Sequence, residues 1–514
     1  MGYQGQTFKI LCGKGGLNAS TDKYAISAES MVVGSKNLNL TKGVRAKRGG
    51  TVKVNATAID SGQQIMGIFD FLKPAGSQYI VFATANGKLW KNTTVTIKEG
   101  LTINKFVGME QFESLVFFFN GANVPSYWDG ATATSTDMTL IPTDWATTNF
   151  PIQMIRHGKG NSERLWAIGC PSNPYTVYAS KNGLGTDFSD ANVTTFNIDT
   201  GDGFGIVGAG EFLDNLFCFG RRKAYIIDDA DTNVTNWGYE GAPWEGGVAH
   251  NRLIVKTPTD LICMAEDGEI YSVGAAIQYG DYVKASLTQG TYLHDWIKKN
   301  LQLSYINSFH SIYDPVLRAV KFFVVRVGHT TVDTALVFFI DRPANEAWMI
   351  HDNLNYASGY NASCAALIRV GAGDYEIYTG DYSGYIWKLE QSAKNDNNNA
   401  FWSGFKTSIL DYTNGRVNKR HDRGWLIMEP QETEKLTVEW WIDGVTQNSQ
   451  SVTAASGQKR YSFPLGQAGN DMELQVSNNT KDEDFAISQL LIDFKVLGAK
   501  PGDGATVFEG MGVE

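Results

Sequence analysis

The feature that most constrains this chain is a local pattern that recurs along it: an apolar strand, a glycine-bearing turn, and an aromatic residue three positions after the glycine. In the stretch YEIYTGDYSGYIWKLE, the glycine is Gly384 and the aromatic residue is Trp387. The same spacing follows an Asn-Gly and an Asp-Gly dipeptide, in the pairs Gly87 and Trp90, and Gly268 and Tyr271. Such dipeptides between apolar runs predict tight hairpins with type I′ turns, in which both central residues have positive φ.

Weaker copies of the pattern fill the intervals and give it a period. The residues that take the place of the aromatic residue on each returning strand are Trp90, Trp128, Tyr178, Ile226, Tyr271, Trp348 and Trp387. Successive intervals run from 38 to 50 residues, except for one of 77. A period of roughly 40–50 residues is typical of the four-stranded blades of a β-propeller. We therefore predict an all-β fold with a propeller of six or seven blades over residues 55–392; two β-sandwiches are the alternative.

The long interval contains the best helical candidate in the chain, residues 282–303. Its apolar residues Leu293, Trp296, Ile297 and Leu301 are three or four positions apart, which is the spacing of one helix face. We predict a helical insertion between two blades.

The segments on either side of the propeller have a different character. The polar, Asn-rich stretch 392–400 predicts a linker, and the alternating apolar residues that follow predict a β-sandwich-like domain over residues 400–500. Residues 1–54 predict an extended N-terminal arm, which either supplies the strand that closes the propeller or reaches a neighbouring subunit. Residues 501–514 are Gly-rich and predict a flexible tail.

Charge and cysteine content exclude some classes of protein. A net charge of −10 over 514 residues disfavours chain-wide binding to nucleic acid. The five cysteines are scattered and odd in number, which favours buried free thiols over a zinc site or a disulfide framework. We expect no secretory leader and no membrane-spanning helix, because the N-terminus lacks the basic and apolar regions of a leader and no long apolar run occurs.

A search for catalytic motifs gives little. The sequence has no P-loop, no nucleophile elbow and no close histidine pair, so we expect no cofactor, no metal and no enzymatic activity. The adjacent carboxylates Asp228 and Asp229, and Glu266 and Asp267, lie on predicted turns and favour solvated turns over a glycosidase pair.

Two basic clusters stand out against the acidic background. They consist of Lys42, Arg45, Lys47 and Arg48, and of Arg416, Lys419, Arg420 and Arg423. A solvated face, docking to an acidic partner, and direct contact with DNA are all compatible with such clusters. We take all eight residues as candidates for partner docking, because concentrated charge steers and orients an interface.

The pattern as a whole resembles the tail nozzle and packaged-DNA stabilisation proteins of short-tailed bacteriophages. The resemblance rests on GGLN followed by NLNLTKGVRAKRGGT near the N-terminus, on ALVFFIDRPANEAWMIHD, and on GDYSGYIWKLE as a last blade before a terminal β-sandwich. The insertion at 282–303 departs from that pattern and leaves the blade count at six or seven.

The resemblance implies a structural virion protein rather than an enzyme. Such proteins form rings, usually hexameric, that dock on the portal and head-to-tail adaptor, contact tail fibres or spikes, and continue the channel through which double-stranded DNA leaves. An acidic wall would let DNA slide, since it repels phosphates. We thus expect a tail protein of the virion, assembled in host cytoplasm without membrane insertion. The alternatives are a tail-associated glycan-binding or glycan-cleaving propeller, and a cellular propeller that serves as an interaction scaffold.

Overall fold

The computed structural model describes residues 5–41, 43–74, 76–159, 163–352, 361–412, 417–429, 434–455 and 457–499. The chain divides into two compact units. The propeller unit comprises Gly49–Ala344 and His351–Asn399, and the sandwich unit comprises Met1–Arg48, Asn345–Ile350 and Ala400–Glu514.

The propeller unit is a closed ring of seven antiparallel sheets, which we number as blades 1 to 7 in chain order. The inner strand of each blade contacts the inner strand of the next, and that of blade 7 contacts that of blade 1. The inner strands are Ile65–Leu72, Gly108–Phe112, Gln153–His157, Gly208–Phe212, Ile254–Lys256, His310–Asp314 and Cys364–Arg369. The predicted all-β propeller is confirmed, and the blade count is seven.

The remaining strands of each blade follow outward in order. The second strands are Gln78–Thr84, Leu115–Phe119, Arg164–Ile168, Asn215–Phe219, Leu261–Met264, Ala319–Val324 and Tyr375–Gly380. The third strands are Lys88–Lys91, Ser126–Trp128, Thr176–Ala179, Ala224–Asp228, Ile270–Ser272, Thr334–Phe339 and Ile386–Gln391. The fourth strands of blades 1 to 4 are Val95–Lys98, Thr136–Asp137, Thr194–Asn197 and Gly238–Gly241.

The fourth strand of blade 7 comes from the N-terminal arm. The strand Gly50–Lys53 pairs antiparallel with Ile386–Gln391, with Val52 opposite Lys388. At Gly50 the approach is so close that an added Cβ would lie 2.0 Å from the backbone oxygen of Asn395. This pairing joins the last blade to the first strand of the unit, so the arm supplies the closing strand, as one of the two sequence-based alternatives proposed.

The hydrophobic core of the propeller lies in layers between neighbouring blades. Phe71 and Val81 of blade 1, for example, pack in one cluster with Val116 and Trp128 of blade 2. Each blade thus covers both its faces only by contact with two neighbours, which explains why the ring is the stable unit.

The aromatic pattern marks third strands, with one exception. Six of the seven predicted equivalent positions lie on third strands, but Trp348 lies on Trp348–His351, which is fourth in the strand order of the blade 6 sheet. The third strand of blade 6 is Thr334–Phe339, an apolar run without the glycine-aromatic spacing. The predicted equivalence of Trp348 is therefore wrong. The 77-residue interval is long in part because it ends beyond the third strand of blade 6.

The turns differ from the prediction in one respect. Gly87, Gly268 and Gly384 have φ values of 74°, 84° and 79°, but the residue before each has no positive φ. In the first of these turns, the Gly87 N–H donates to Thr84 O at 3.0 Å. These are three-residue loops in which a type I turn is followed by a left-handed glycine. The type I′ prediction is wrong because each loop has three residues between the paired strands, one more than a type I′ hairpin has.

A helical excursion connects blades 5 and 6. It contains the helices Val273–Tyr279 and Leu293–Asn300 and the 3-10 turns Gln289–Thr291 and Leu303–Ser308. Leu293 and Ile297 are buried, as the predicted helix face required, whereas the first helix was not foreseen. Further 3-10 turns are Ile59–Ser61, Val234–Asn236, Asn251–Leu253 and Ala344–Glu346.

The sandwich unit consists of two antiparallel sheets, and the N-terminal arm supplies part of one. The first sheet has the order Leu38–Asn39, Arg45–Lys47, Ala486–Ala499, Val417–Met428 and Arg460–Gly469, with Gln6–Leu11 also paired to Ala486–Ala499. The second has the order Ser403–Lys406, Met472–Asn478, Lys435–Ile442 and Val445–Thr453. The rings of Trp440 and Phe463, one from each sheet, lie 6.2 Å apart. The predicted tail 501–514 lies outside the described residues.

All five cysteines are buried and free, which confirms the prediction for them. Burial raises the pKa of the Cys263 thiol well above its usual value, so this thiol is unreactive. Among the described residues, no helix has the length and apolar character needed to cross a membrane.

Candidate functional site at the propeller axis

At two of the blade boundaries, a side-chain amide joins neighbouring inner strands. The Gln111 amide donates to Leu72 O at 2.7 Å and accepts from Leu72 N at 3.3 Å. In the same way, the Gln153 amide donates to Ala209 O at 3.0 Å and accepts from Ala209 N at 2.8 Å. A side-chain amide that pairs with both backbone groups of a neighbouring strand replaces the missing ladder and fixes the spacing of the blades around the axis.

At one end of the axis, a single arginine spans the ring. Arg252 and Phe106 each lie two residues before an inner strand, of blades 5 and 2 respectively. The guanidinium carbon of Arg252 lies 3.5 Å from the centre of the Phe106 ring, and its Nη2 donates to Asn307 O at 2.6 Å. Blades 2 and 5 are not neighbours, so this stacked pair crosses the axis and obstructs it.

Two histidines flank this arginine. His250 Nδ1 accepts from the Arg252 N–H at 3.2 Å, and its Nε2 donates to Ile306 O at 2.8 Å, which defines a neutral ring. Burial, together with the charge of Arg252, lowers the pKa of His250 to about 3. His310 opens the inner strand of blade 6 and stacks on Phe323 with 4.8 Å between ring centres; burial keeps its pKa well below the usual value.

Two nitrogen atoms at this end lack a hydrogen-bond partner among the described residues. They are Arg252 Nη1 and His310 Nε2, and both are buried. Burial lowers the pKa of Arg252 to about 10, and the neighbours that act on it electrostatically are Cys364 and Tyr382 of blade 7. We call Phe106, His250, Arg252, His310 and Tyr382 the axial arginine site.

Further along the same strands, the axis is lined by charged groups of both signs. Burial raises the pKa of Glu110 from its usual 4.5 to about 7, although the charge of Arg156 opposes the shift and that of Glu211 adds to it. Lys256 donates to Glu211 at 2.8 Å. The charges therefore compensate one another in part, and the pKa of Glu110 is raised close to neutral pH.

A buried histidine–aspartate contact belongs to the same region. His157 Nε2 lies 3.4 Å from Asp229, whose side chain is 1% exposed. The prediction of a solvated turn is therefore wrong for Asp229, whose neighbour Asp228 is exposed as expected. Among the described residues, no group of three or more His, Cys, Asp or Glu side chains is placed to hold a metal ion.

The first predicted basic cluster lies inside the sandwich unit. Arg45 and Lys47 are 0% exposed and Arg48 is 3% exposed. Arg45 lies over the ring of Phe405 at 4.5 Å, and Arg48 lies over the ring of Phe401 at 3.9 Å. Docking by these three side chains is therefore wrong, because their charges are enclosed by aromatic rings and carbonyl oxygens. Lys42 lies outside the described residues.

The second predicted cluster is divided between interior and surface. Lys419 is 2% exposed and donates to Asn470 O at 2.7 Å, so the docking prediction fails for it as well. Arg420 and Arg423 are exposed on the outer face of the first sheet, where Arg423 lies 5.5 Å from the ring of Trp425. For these two arginines docking stays a prediction, and Arg416 lies outside the described residues.

Sequence reasoning did not find the axial arginine site. Its members come from four blades, and the stretch GGVAHNRLIV around Arg252 has no motif. The only signal is a polar triplet, His250 to Arg252, set between apolar runs just before a strand.

The sequence matches no protein-family model and no curated protein. Among solved structures, the chain is similar to BBS1N in complex with ARL6DN, at 11% identity with a TM-score of 0.41, over 67% of this chain and 97% of that one. It is also similar to the Pan2 WD40 domain of Neurospora crassa, at 9% identity with a TM-score of 0.36, over 67% and 95%. An exo-β-1,3-galactanase from Phanerochaete chrysosporium aligns at 11% identity with a TM-score of 0.26, over 79% and 100%. These are distant likenesses of fold, and none bears on what this chain binds.

Proposed function

We propose that the chain is a structural protein of a bacteriophage tail, several copies of which form a ring that continues the DNA exit channel and helps to retain packaged DNA. The observation that carries the proposal is where the family-like stretches lie. Two of them, the N-terminal run that ends at Thr51 and the last-blade run 380–390, meet in blade 7. Gly49 N donates to Glu390 Oε2 at 2.8 Å across this junction. The end of the first stretch, from Gly49 to Thr51, thus lies beside the second stretch where the propeller closes.

The obstructed axis constrains how such a ring would work. Arg252 and Phe106 cross the axis of the propeller, so a duplex would not thread a single subunit. The channel of the proposed ring would therefore run between copies, past their outer surfaces. Partners in this proposal are further copies, six as is usual in the family it resembles, together with portal, adaptor and fibre or spike proteins.

The test is to co-express the chain with the products of the genes that adjoin its own and to examine the particles by electron microscopy. The proposal expects portal or adaptor genes among those neighbours, and rings with a central opening wide enough for duplex DNA. A monomer of 56.5 kDa at all concentrations, with no tail genes adjoining, would overturn it.

Arg420 and Arg423 are the surface residues through which we propose that the ring contacts an acidic partner. Reversal of both charges, Arg420→Glu with Arg423→Glu, is expected to abolish ring formation because opposite charges then become like charges. The matched control is Lys435→Glu with Lys481→Glu, which changes the charge by the same amount at exposed positions of the same unit. Equal ring formation by both variants would remove the docking role.

A glycan-cleaving propeller is the second candidate, and one observation favours it. Burial raises the pKa of Glu110 to about 7, and a carboxyl that keeps its proton near neutral pH can serve as the acid of glycoside hydrolysis. Release of reducing sugar from host polysaccharide, abolished by Glu110→Gln, would support this candidate over the structural role.

A further inference from the structure

A cavity of about 570 Å³ opens where the inner strands of blades 7 and 1 end. Its lining includes Arg369, the last residue of the inner strand of blade 7, and Leu72, the last residue of the inner strand of blade 1. Lys73, Gln78 and Val370 line it as well. A volume of this size is in the range of small-molecule sites. We call this space the blade 7–1 cavity.

Two cations line the blade 7–1 cavity, and neither is neutralised by a carboxylate that lines it. They are Lys73 and Arg369, both of which are partly exposed. In the part of the chain that the structure describes, neither residue forms an ion pair, and the lining of the cavity contains no Asp or Glu. Two positive charges on the wall of one open space attract an anion into it.

The neighbouring carboxylates leave these two side chains available. Asp70 Oδ1 accepts from Gln78 Nε2 at 2.7 Å, and its Oδ2 accepts from the backbone N–H of Arg369 at 2.8 Å. Asp374 lies further along the loop of blade 7, where its Oδ2 would be 3.3 Å from a Cβ added to Gly371. A ligand anion would therefore meet two cations that no ion pair within the described residues already engages.

The hydrogen-bonding groups of the cavity select the kind of anion. Arg369 Nε donates to Gly371 O at 3.1 Å, which orients the guanidinium and leaves its two Nη groups for a ligand. Such a pair of Nη groups matches two oxygens of one carboxylate or phosphate. Gln78 Nε2 spends its two protons on Asp70 Oδ1 and on Arg369 O, at 2.7 and 2.6 Å. What Gln78 offers a ligand is thus its amide oxygen, an acceptor that suits a hydroxyl.

We propose that the blade 7–1 cavity binds an acidic sugar, with the acid group on Arg369 and Lys73 and a hydroxyl that donates to Gln78 Oε1. A uronic acid and a sugar phosphate share this chemistry, since each has an anionic group with several oxygens beside hydroxyl groups. A neutral sugar lacks the anion, and acetate lacks the hydroxyls. The inference goes beyond the functions proposed above, because binding here requires neither ring assembly nor catalysis by Glu110.

The experiment measures binding of glucuronate and of glucose 6-phosphate to the full chain by isothermal titration calorimetry at constant ionic strength. The expected result is saturable binding of at least one of them, tighter by about tenfold or more than binding of glucose or acetate, since each of these lacks one set of contacts. The tighter of the two acidic sugars identifies whether the acid group is a carboxylate or a phosphate.

Three variants assign the binding to the cavity. Arg369→Gln and Lys73→Gln are each expected to weaken it by about tenfold or more, because each removes a charge-assisted contact. The backbone contacts of residue 369 with Asp70 and Gln78 do not depend on its side chain, so Arg369→Gln keeps the frame of the cavity. Arg222→Gln, at an exposed arginine in the turn between the second and third strands of blade 4, is the matched control and should bind as the original chain does.

Loss of affinity in Arg369→Gln or Lys73→Gln, with none in Arg222→Gln, supports the proposal; if one of the first two fails to fold, the other is sufficient. Several results would overturn it: no saturable binding of either acidic sugar, equal binding of glucose or acetate, or unchanged affinity in both cavity variants. An equal loss in Arg222→Gln would do so too, since it would reflect overall charge.

Discussion

At the scale of single residues, the propeller axis concentrates the unusual electrostatics of the molecule. Arg252 is held between rings and carbonyl groups, and Glu110 keeps its proton to about pH 7, because both are surrounded by protein. A closed ring of blades creates this environment, since side chains from several blades converge near its axis and partly bury one another.

The titration of Glu110 predicts a pH dependence of stability. Its pKa is raised in the folded state, so between about pH 4.5 and pH 7 the folded protein holds a proton that the unfolded chain has lost, and stability falls as pH rises through this window. Glu110→Gln should remove this fall and stabilise the protein at about pH 8 by about 1–3 kcal/mol, with little effect at about pH 4.5.

The measurement for Glu110 is the free energy of unfolding from urea titrations at the two pH values. Asp228→Asn, at an exposed carboxyl of the same unit, is the control and should leave the pH dependence unchanged. If Glu110→Gln had the same pH dependence as the original chain, burial would not raise this pKa.

At the scale of elements, the sequence predicted most of the sheets and little of the axis. The glycine-bearing turns and the positions of Trp90, Trp128 or Trp387 depend on residues that are close in the sequence. Such local patterns are enough to specify the blades. The contact of Arg252 with Phe106 joins distant parts of the chain, and nothing local encodes it. The basic clusters gave a wrong prediction for a related reason. Arg45 and Lys47 are charged, so the sequence placed them at the surface, but aromatic rings of the sandwich unit lie against their cationic groups.

The helical excursion is fixed to blade 5 by one buried carboxylate, Glu269. Its oxygens accept from the hydroxyls of Ser286 and Thr288 and contact His294 Nδ1. Glu269→Ala should release this excursion, because three polar groups lose their common partner, at a cost of about 2–4 kcal/mol locally.

Hydrogen exchange checks this prediction about Glu269. Residues 286–300 should exchange faster by about tenfold or more in Glu269→Ala, since 1.4 kcal/mol corresponds to a factor of ten. Glu266→Ala, at the exposed carboxylate of the same hairpin, should leave that segment protected. Equal protection in both variants would show that the helix holds without Glu269.

Closure of the ring depends on the strand Gly50–Lys53. Gly50→Ala should destabilise the propeller by at least about 1–3 kcal/mol, because the added Cβ meets backbone oxygens at 2.0 and 2.3 Å and they have no room to move. Gly238→Ala is the matched control, since that glycine also lies in a fourth strand and has open space around it.

Thermal unfolding followed by circular dichroism measures this effect on closure. A clear loss of Tm in Gly50→Ala with none in Gly238→Ala is the expected result. Equal Tm values would mean that the fourth strand of blade 7 contributes little to the ring.

At the scale of the whole molecule, the two units differ in how much of the chain they need. The propeller strands described above lie within residues 49–399, whereas the first sheet of the sandwich unit draws strands from both the beginning and the end of the chain. The units therefore differ in whether a continuous fragment can contain them.

A fragment of residues 49–399 should fold, and a fragment of residues 400–514 should not. The second lacks Gln6–Leu11 and Arg45–Lys47, so the strand Ala486–Ala499 would present an unpaired edge. Addition of a peptide of residues 1–48 should restore its folding. Dispersed amide resonances from residues 400–514 alone would contradict this prediction.

The pairing of Gln6–Leu11 with Ala486–Ala499 also has a consequence during synthesis. The earliest strand leaves the ribosome first, and its partner is translated last, roughly half a minute to a minute and a half later at about 5–20 residues per second. Meanwhile the nascent segment carries Ile10 and Leu11 without cover, and a chaperone or a slow elongation rate would decide how much product survives. Lower growth temperature should therefore favour soluble yield of this protein more than of one whose sheets form from consecutive strands.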